Sequence, residues 1–329
     1  YFEAALDKAA KLYNFDVNAG PVLDRVLRLL QIRKDGAGSV SAAAESGSQP
    51  SDGLNGEITA AVISYMYSFE ISPLMKNMCS WLHEKTGNQV DVLIDDLCVD
   101  RSFNRDGVNI ISLQDKLDRG RVREAVSGDE ADQGFYRELM HLPSDLPRER
   151  VKPEAFKIML SRFSGSHDVV FAVEYGALKM LCEAGIDPGR IIYVSLEGSD
   201  IIESFGGDSG ALISRCRFCV SPEKRRAADL ERYLGKRMDI EYLPVSLRPV
   251  QPVPKQNTRL KMIYSGYFAE WACVIELVRA FAESGLDSEL VLQGHSVGTE
   301  EYLDMVKYAA GKFPNIHLDT DYYDDERHS

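Results

Sequence analysis

Residues 168–196 read DVVFAVEYGALKMLCEAGIDPGRIIYVSL. Asp168–Val173 is a short apolar run of strand type, Tyr175–Ala184 reads as a helix, and Ile191–Leu196 is a second apolar run. A strand, a helix and a strand in this order make a βαβ unit, whose two strands run parallel. The same alternation extends outward. Towards the N-terminus stand a strand at Ile58–Tyr67 and an amphipathic helix at Pro73–Thr86 (Leu74, Met78, Trp81, Leu82) closed by Gly87. Strands follow at Val90–Ile94 and Val108–Leu113, then a polar stretch at 114–150 of helix and irregular loop, then a helix at Ala155–Phe163. Towards the C-terminus come a helix through 209–215, a strand at Phe218–Val220, a helix at Pro222–Gly235 and a short strand at Ile240–Leu243. Short strands alternating with longer helices predict a parallel sheet covered on both faces.

This first domain is expected over 57–245. Pro244, Pro249, Pro252 and Pro254 make a stiff, extended connector at 246–257. The pattern then restarts: a strand at Leu260–Tyr264, a helix at Trp271–Ser284, a strand at Glu289–Gln293, a helix at Thr299–Lys312 and a strand at Ile316–Leu318. A second domain is therefore expected over 258–329, cut short, with one face and an edge of its sheet uncovered. Ahead of the first domain, residues 1–35 read as a helical extension (Phe2, Ala5, Ala9, Leu12; then Val22, Val26, Leu29, Leu30). Residues 36–56, rich in Gly, Ser and Ala, read as a flexible linker. The chain starts at Tyr1 with no initiator Met and no basic, apolar leader, so it is expected to be a fragment without a signal peptide.

The 329 residues suit two domains of about 100–200 residues each. With 38 Lys and Arg against 51 Asp and Glu, the net charge is −13, which argues against general nucleic-acid binding. No apolar run is long enough for a transmembrane helix. The six cysteines sit mostly in apolar runs and read as reduced, buried thiols of a cytoplasmic protein. Cys216-Arg-Phe-Cys219 has metal-like spacing but no second pair, and in a strand its thiols would face opposite sides, so no metal site is expected.

In open α/β sheets ligands gather beyond the carboxyl ends of the strands. That rule selects Ser68-Phe69-Glu70 with Ser72, Asp95-Asp96, Glu174 after Val173, and Glu197 after Leu196 in the first domain. In the second it selects Ser265-Gly266-Tyr267 and Gly294-His295, where glycine lets a ligand approach the main chain. Glu174 reads either as a polar contact or base or as a solvated cap. Glu197 reads as a hydroxyl contact or a helix N-terminal anion. His295 reads as a phosphate or sugar contact or a locally packed loop histidine, and His141 and His167 are assigned nothing. Lys224-Arg225-Arg226 reads as a solvated helix face or as a run that attracts an anionic acceptor or membrane lipid. Asp319-Thr-Asp321, in an acidic tail, reads as a solvated loop rather than a cation site.

Several stretches, taken in series, carry a family resemblance. Phe218-Cys-Val-Ser-Pro-Glu-Lys-Arg-Arg-Ala-Ala-Asp-Leu230 is similar to the last helix entry of the acceptor domain of GT-B glycosyltransferases, most closely the retaining family 4. Glu241-Tyr-Leu-Pro-Val-Ser246 resembles their interdomain strand. Met262-Ile-Tyr-Ser-Gly-Tyr267 with Ile275-Glu-Leu-Val-Arg-Ala-Phe281, then Leu290-Val-Leu-Gln-Gly-His295 and Pro314-Asn-Ile-His-Leu318, resemble the opening of their donor domain. The resemblance spans about residues 58–329. It implies an α/β protein with two Rossmann-like domains facing across a cleft, the second incomplete, preceded by the short helical extension.

The resemblance also implies a function: a sugar moves, with retention, from a UDP- or GDP-linked donor to a glycan, lipid-linked or protein acceptor, without metal or other cofactor. Ser265, Gly266, Tyr267, Gly294 and His295 are then donor contacts. Glu70, Ser72 and Asp95 are acceptor contacts, and Glu174 and Glu197 are the catalytic candidates. The expected setting is the cytoplasm, at the inner membrane face, within polysaccharide biosynthesis. Three departures stand out. The Arg and Lys usual after Ser265-Gly266 are replaced by Tyr267-Phe-Ala-Glu-Trp271, the strand-end His is Glu174, and the acidic pair that holds the donor sugar would lie past Ser329. Two alternatives stay open, a nucleotide-sugar epimerase of the same fold and a non-catalytic partner subunit.

Overall fold

The computed structural model describes residues 58–66, 72–96, 107–121, 130–204, 208–238, 240–242, 260–296 and 300–320. The extension 1–35, the linker 36–56, the connector 246–257 and Glu70 lie outside the described residues. The chain divides into two compact units, Tyr1–Pro249 and Val250–Ser329.

In the first unit, strands β1 (Ala60–Ser64), β2 (Val90–Ile94), β3 (Val108–Ser112), β4 (Val169–Val173), β5 (Ile191–Val194), β6 (Phe218–Ser221) and β7 (Ile240–Tyr242) form one sheet in the order β3-β2-β1-β4-β5-β6-β7. Every neighbouring pair is parallel. Successive strand residues point to opposite faces, and here both faces are buried. Ala60, Val62, Val92, Phe171 and Val194 face one layer, closed by Leu74, Met78 and Trp81 of helix α1 (Pro73–Thr86). Ala61, Ile63, Leu93, Ala172 and Tyr193 face the other. That second layer is built from helices α2 (Leu113–Arg121), α3 (Glu130–Met140), α4 (Arg148–Phe163) and α5 (Glu174–Glu183), then α6 (Ser199–Ser204), α7 (Ser209–Ser214) and α8 (Lys224–Leu234). Each fully buried aliphatic or phenyl side chain contributes about 1.5–3 kcal/mol, so the paired layers dominate the stability of this unit.

The elements end where local chemistry stops them. Gly87 takes the left-handed conformation (φ 68) and its N–H returns to the His83 carbonyl, closing α1. β1 is shorter than its apolar run. The Asp168 carboxylate accepts from the Thr59 backbone (2.9 Å) and hydroxyl (3.0 Å) at one end, and the chain turns at Met66 (φ 59) at the other. α4 starts well before the predicted Ala155 and carries Pro153 inside it, at the cost of one i→i−4 hydrogen bond. α6 was not legible at all, being a single short stretch whose Ile202 fills the core. Cys216 precedes β6, so it and Cys219 pack into the same layer rather than opposite ones. Both thiols are free, and burial pushes Cys219 up to about 12. His167, given no partner by the sequence, has its Nε2 2.9 Å from Asp91 Oδ2.

The second unit holds three parallel strands in the order β10-β9-β8: β8 (Leu260–Phe268), β9 (Ser288–Ser296) and β10 (Ile316–Asp319). Helices α9 (Val274–Glu283) and α10 (Glu300–Ala310) cover one face through Val278, Phe281, Tyr302 and Val306 against Leu290, Leu292 and Ile316. On the other face Ile263 is 67% exposed. β8 runs four residues past its predicted end at Tyr264, to Phe268. The predicted helix from Trp271 opens instead with a single 3-10 turn, Glu270–Ala272, and Cys273 in the left-handed region (φ 52) before α9 begins.

Candidate functional site

Strand order in the first unit reverses at the β1–β4 pair, from which the chain winds out to β2 and β3 on one side and to β5, β6 and β7 on the other. The crevice beyond the carboxyl ends at such a reversal is where this class of sheet binds ligands. Ser64 pairs with Val173 in register, so Tyr65 and Glu174 are the residues that leave the sheet side by side at this point.

Glu174 is the most unusual residue in the unit. It takes φ 63, a conformation costly for a residue with a Cβ, and opens α5 with no spacer after β4. Its Oε1 accepts the backbone N–H groups of Leu196 (2.5 Å) and Glu197 (2.9 Å), tying the end of β4 to the loop after β5. Its Oε2 is buried and has no hydrogen-bond partner among the described residues, and the residue is 4% exposed. Burial drives the carboxyl up to about 7, opposed by the two backbone N–H groups, raised further by Glu197 and lowered by Arg226. A carboxyl that titrates near neutrality and keeps one oxygen uncommitted at a strand-end crevice can bind a hydroxyl and take its proton.

The other candidates of this unit have local duties. Glu197 is half-exposed and stands 4.0 Å from Arg226, beside the loop that Glu174 holds. Asp95, buried, accepts the Met66 N–H through Oδ1 (3.1 Å) and pairs through Oδ2 with Lys152 (3.0 Å), so it braces the turn after β1. Ser72 is the N-cap of α1, its Oγ accepting from the Met75 N–H (3.5 Å). Glu174 and Glu197 are brought together, Asp95 lies one strand away beyond β2, and Ser72 is engaged by its own helix.

In the second unit Ser265, Gly266 and Tyr267 lie inside β8 rather than in a turn after it. They pair with Gln293, Gly294 and His295 of β9, so the predicted donor residues are brought together across one ladder. The two glycines explain the extra length. Gly294 has φ 157, and a Cβ there would fall 1.7 Å from the Gly266 carbonyl oxygen. The close approach of two backbones, not a ligand, requires glycine at 294. The Tyr264 hydroxyl donates to the Tyr267 carbonyl (2.7 Å), and the Tyr267 ring meets Trp271 edge-on with centroids 6.3 Å apart. Trp271, 72% exposed, had been noted only as part of a departure from the family pattern. Tyr65 was missed as well, and Arg226 was read only as one of the Lys224–Arg226 run, not as a neighbour of Glu174 and Glu197. The order of strands signals the first, and its neighbour after Ser64 could have been found by that rule. The second acts from a different helix, and no spacing in the sequence reveals it.

Among the described residues no cluster of three or more His, Cys, Asp or Glu is arranged for a metal ion, and no helix is long and apolar enough to cross a membrane. No protein-family model matches the chain, and no curated protein matches it in sequence. Solved structures do match in fold. HepE of Anabaena in complex with UDP and glucose superposes with a TM-score of 0.53 at 9% identity, over 80% of this chain and 69% of that one. The same protein with UDP-glucose gives 0.51 at 9% identity, over 81% and 70%. A TarM variant of S. aureus in complex with Fondaparinux, alpha-GlcNAc-glycerol and UDP gives 0.53 at 4% identity, over 81% and 78%. The fold is accordingly mixed α/β of the GT-B type.

Proposed function

We propose that the protein transfers a sugar from a nucleotide-sugar donor to an acceptor hydroxyl. The first unit takes the acceptor at the carboxyl ends of β1 and β4. The second takes the donor near Ser265, Gly266, Tyr267, Gly294 and His295. The observation that carries this reading is the uncommitted Oε2 of buried Glu174 at the strand-order reversal. The fold likeness to proteins holding UDP with a sugar supports the donor class. In the reaction the bond between the sugar C1 and the diphosphate oxygen breaks, and the acceptor oxygen forms the new bond to C1. The hydroxyl proton leaves, and Glu174 near neutrality is suited to take it. Glu197, with Arg226, sets the charge around that carboxyl rather than bonding the substrate. Retention, a glycan or lipid-linked acceptor and a polysaccharide pathway follow from the family resemblance. Free buried thiols at Cys79, Cys216 and Cys219 support a reducing, cytoplasmic setting.

A non-catalytic subunit of the same fold is favoured by one observation, the lack of any Arg or Lys from Ser265 to Trp271. Calorimetric titration with UDP- and GDP-sugars separates the two, since the enzyme must bind one of them. Transfer assays with Glu174→Gln then test the base. Turnover should fall about 100-fold or more with nucleotide-sugar affinity unchanged. Absence of binding by any UDP- or GDP-sugar overturns the enzyme reading, and full turnover by the variant removes Glu174 from the chemistry.

A further inference from the structure

A groove of about 230 Å³ runs between α4 and α5 and opens beside the end of β1. Its apolar lining comes from Tyr65, Met66 and Pro153, and its cations are Arg150 and Lys157 of α4 and Lys179 of α5. Gly176 contributes only backbone where α5 borders it.

Two features of the charge around the groove point to an anion. The first is the charge inventory. Arg150 and Lys157 share a single Glu154 oxygen, at 3.2 and 2.7 Å, while Lys157 also stands 3.4 Å from Glu183. Lys179 forms no ion pair among the described residues. Three cations thus face two carboxylates in a chain whose net charge is −13. The second is the placement of charge on α4. The helix begins Arg148-Glu-Arg-Val-Lys152, with cations where the macrodipole is already positive. Its N-cap is Pro147, which gives no side-chain hydrogen bond to the first N–H groups. Of these cations Arg150 lines the groove, and an anion beside it offsets like charge at the positive end of the dipole. Met66, 70% exposed on its left-handed turn, adds an apolar lip.

We infer that the groove between α4 and α5 binds the phosphate of an organophosphate, through Arg150, Lys157 and Lys179, with the carbon part against Tyr65 and Met66. Because the groove opens at the same strand-order reversal as Glu174, the phosphate belongs to the acceptor. That last clause rests on the proposed transfer; the phosphate site itself does not.

The test reads phosphate binding directly, without donor or turnover. Amide shifts of the full chain are followed on titration with inorganic phosphate and with methyl phosphate. Flotation uses vesicles of phosphatidylcholine with and without phosphatidic acid. Binding should shift the amides at 65–66, 150–157 and 176–183. Lys179→Gln and Arg150→Gln should each weaken it about threefold, and the double variant about tenfold, since partly exposed ion pairs are individually weak. Glu183→Gln, which removes the competing carboxylate, should tighten it about twofold. Lys307→Gln, on α10, should change nothing. Binding of the soluble phosphates identifies a water-soluble source. Binding only to the phosphatidic acid vesicles, lost in the double variant, identifies a lipid headgroup. No binding to any probe, or binding that the double variant leaves intact, overturns the inference. Loss of nucleotide-sugar binding with the phosphate site intact would instead sink the transfer reading alone.

Discussion

The two parallel sheets of this chain are built from the same strand–helix alternation, yet they stand differently towards water. In the seven-stranded sheet of the first unit, β1 sits between β2 and β4 and buries all five of its residues. In the three-stranded sheet, β8 is an edge strand and presents Ile263 to solvent while α9 and α10 cover the opposite face. The glycines differ as well. Gly87 terminates a helix, whereas Gly266 and Gly294 sit in mid-ladder and let two strands close on each other. One pattern of apolar runs therefore carries two energetics, and the number of covered faces separates them.

The largest effect should come from Gly294→Ala. Its added methyl would overlap the Gly266 carbonyl, and main chain cannot be moved as a side-chain tip can. The second unit should lose about 3 kcal/mol or more, read by hydrogen exchange in β8 and β9, with the first unit unchanged. Gly266→Ala, whose Cβ would meet only the Tyr264 hydroxyl at 3.1 Å, should be far milder. Equal losses in the two variants would break the close-approach account.

Next comes a matched pair of isoleucines. Ile63→Ala, in the doubly covered sheet, should cost about 2–5 kcal/mol. Ile263→Ala, on the open face, should stay within about 0.5 kcal/mol. Denaturant midpoints for the two units would measure both. A large loss at Ile263 would mean that its face is covered after all.

Glu174 gives a pH test confined to the first unit. Its carboxyl titrates at about 7 in the folded protein against an ordinary 4.5. Between these values the folded state keeps a proton that the unfolded chain has released, so stability falls as pH rises and the full loss is present above 7. Glu174→Gln has no proton to lose and retains an oxygen for the Leu196 and Glu197 N–H groups. Relative to wild type it should therefore gain about 2.5 kcal/mol between pH 5 and pH 8 in urea unfolding. Parallel pH profiles for the two proteins would rule out the buried carboxyl as the cause. The smallest expected effect is Ser72→Ala, which removes the α1 cap and should cost about 1 kcal/mol.

Much of this architecture was legible in the sequence because strand and helix periods are local. Val90–Ile94 and Pro73–Thr86 fall where their apolar spacing puts them. Ser199–Ser204 escaped because so short a helix has no period to display. Ser265-Gly266-Tyr267 read as a turn because glycine after an apolar run ordinarily ends a strand, and only its partner Gly294 shows why this one continues. Glu174 was visible as a strand-end carboxylate. The two N–H groups that hold it come from the loop after the next strand, so its buried, half-committed state was not visible. The groove cations were not legible at all, since Arg150 and Lys179 meet only when α4 and α5 lie side by side.

A selection for heat resistance alone would have a definite opinion about position 174. Glu174→Gln would remove an acid from the interior while keeping an oxygen for the Leu196 and Glu197 N–H groups, so variants recovered without any demand for activity should drift that way.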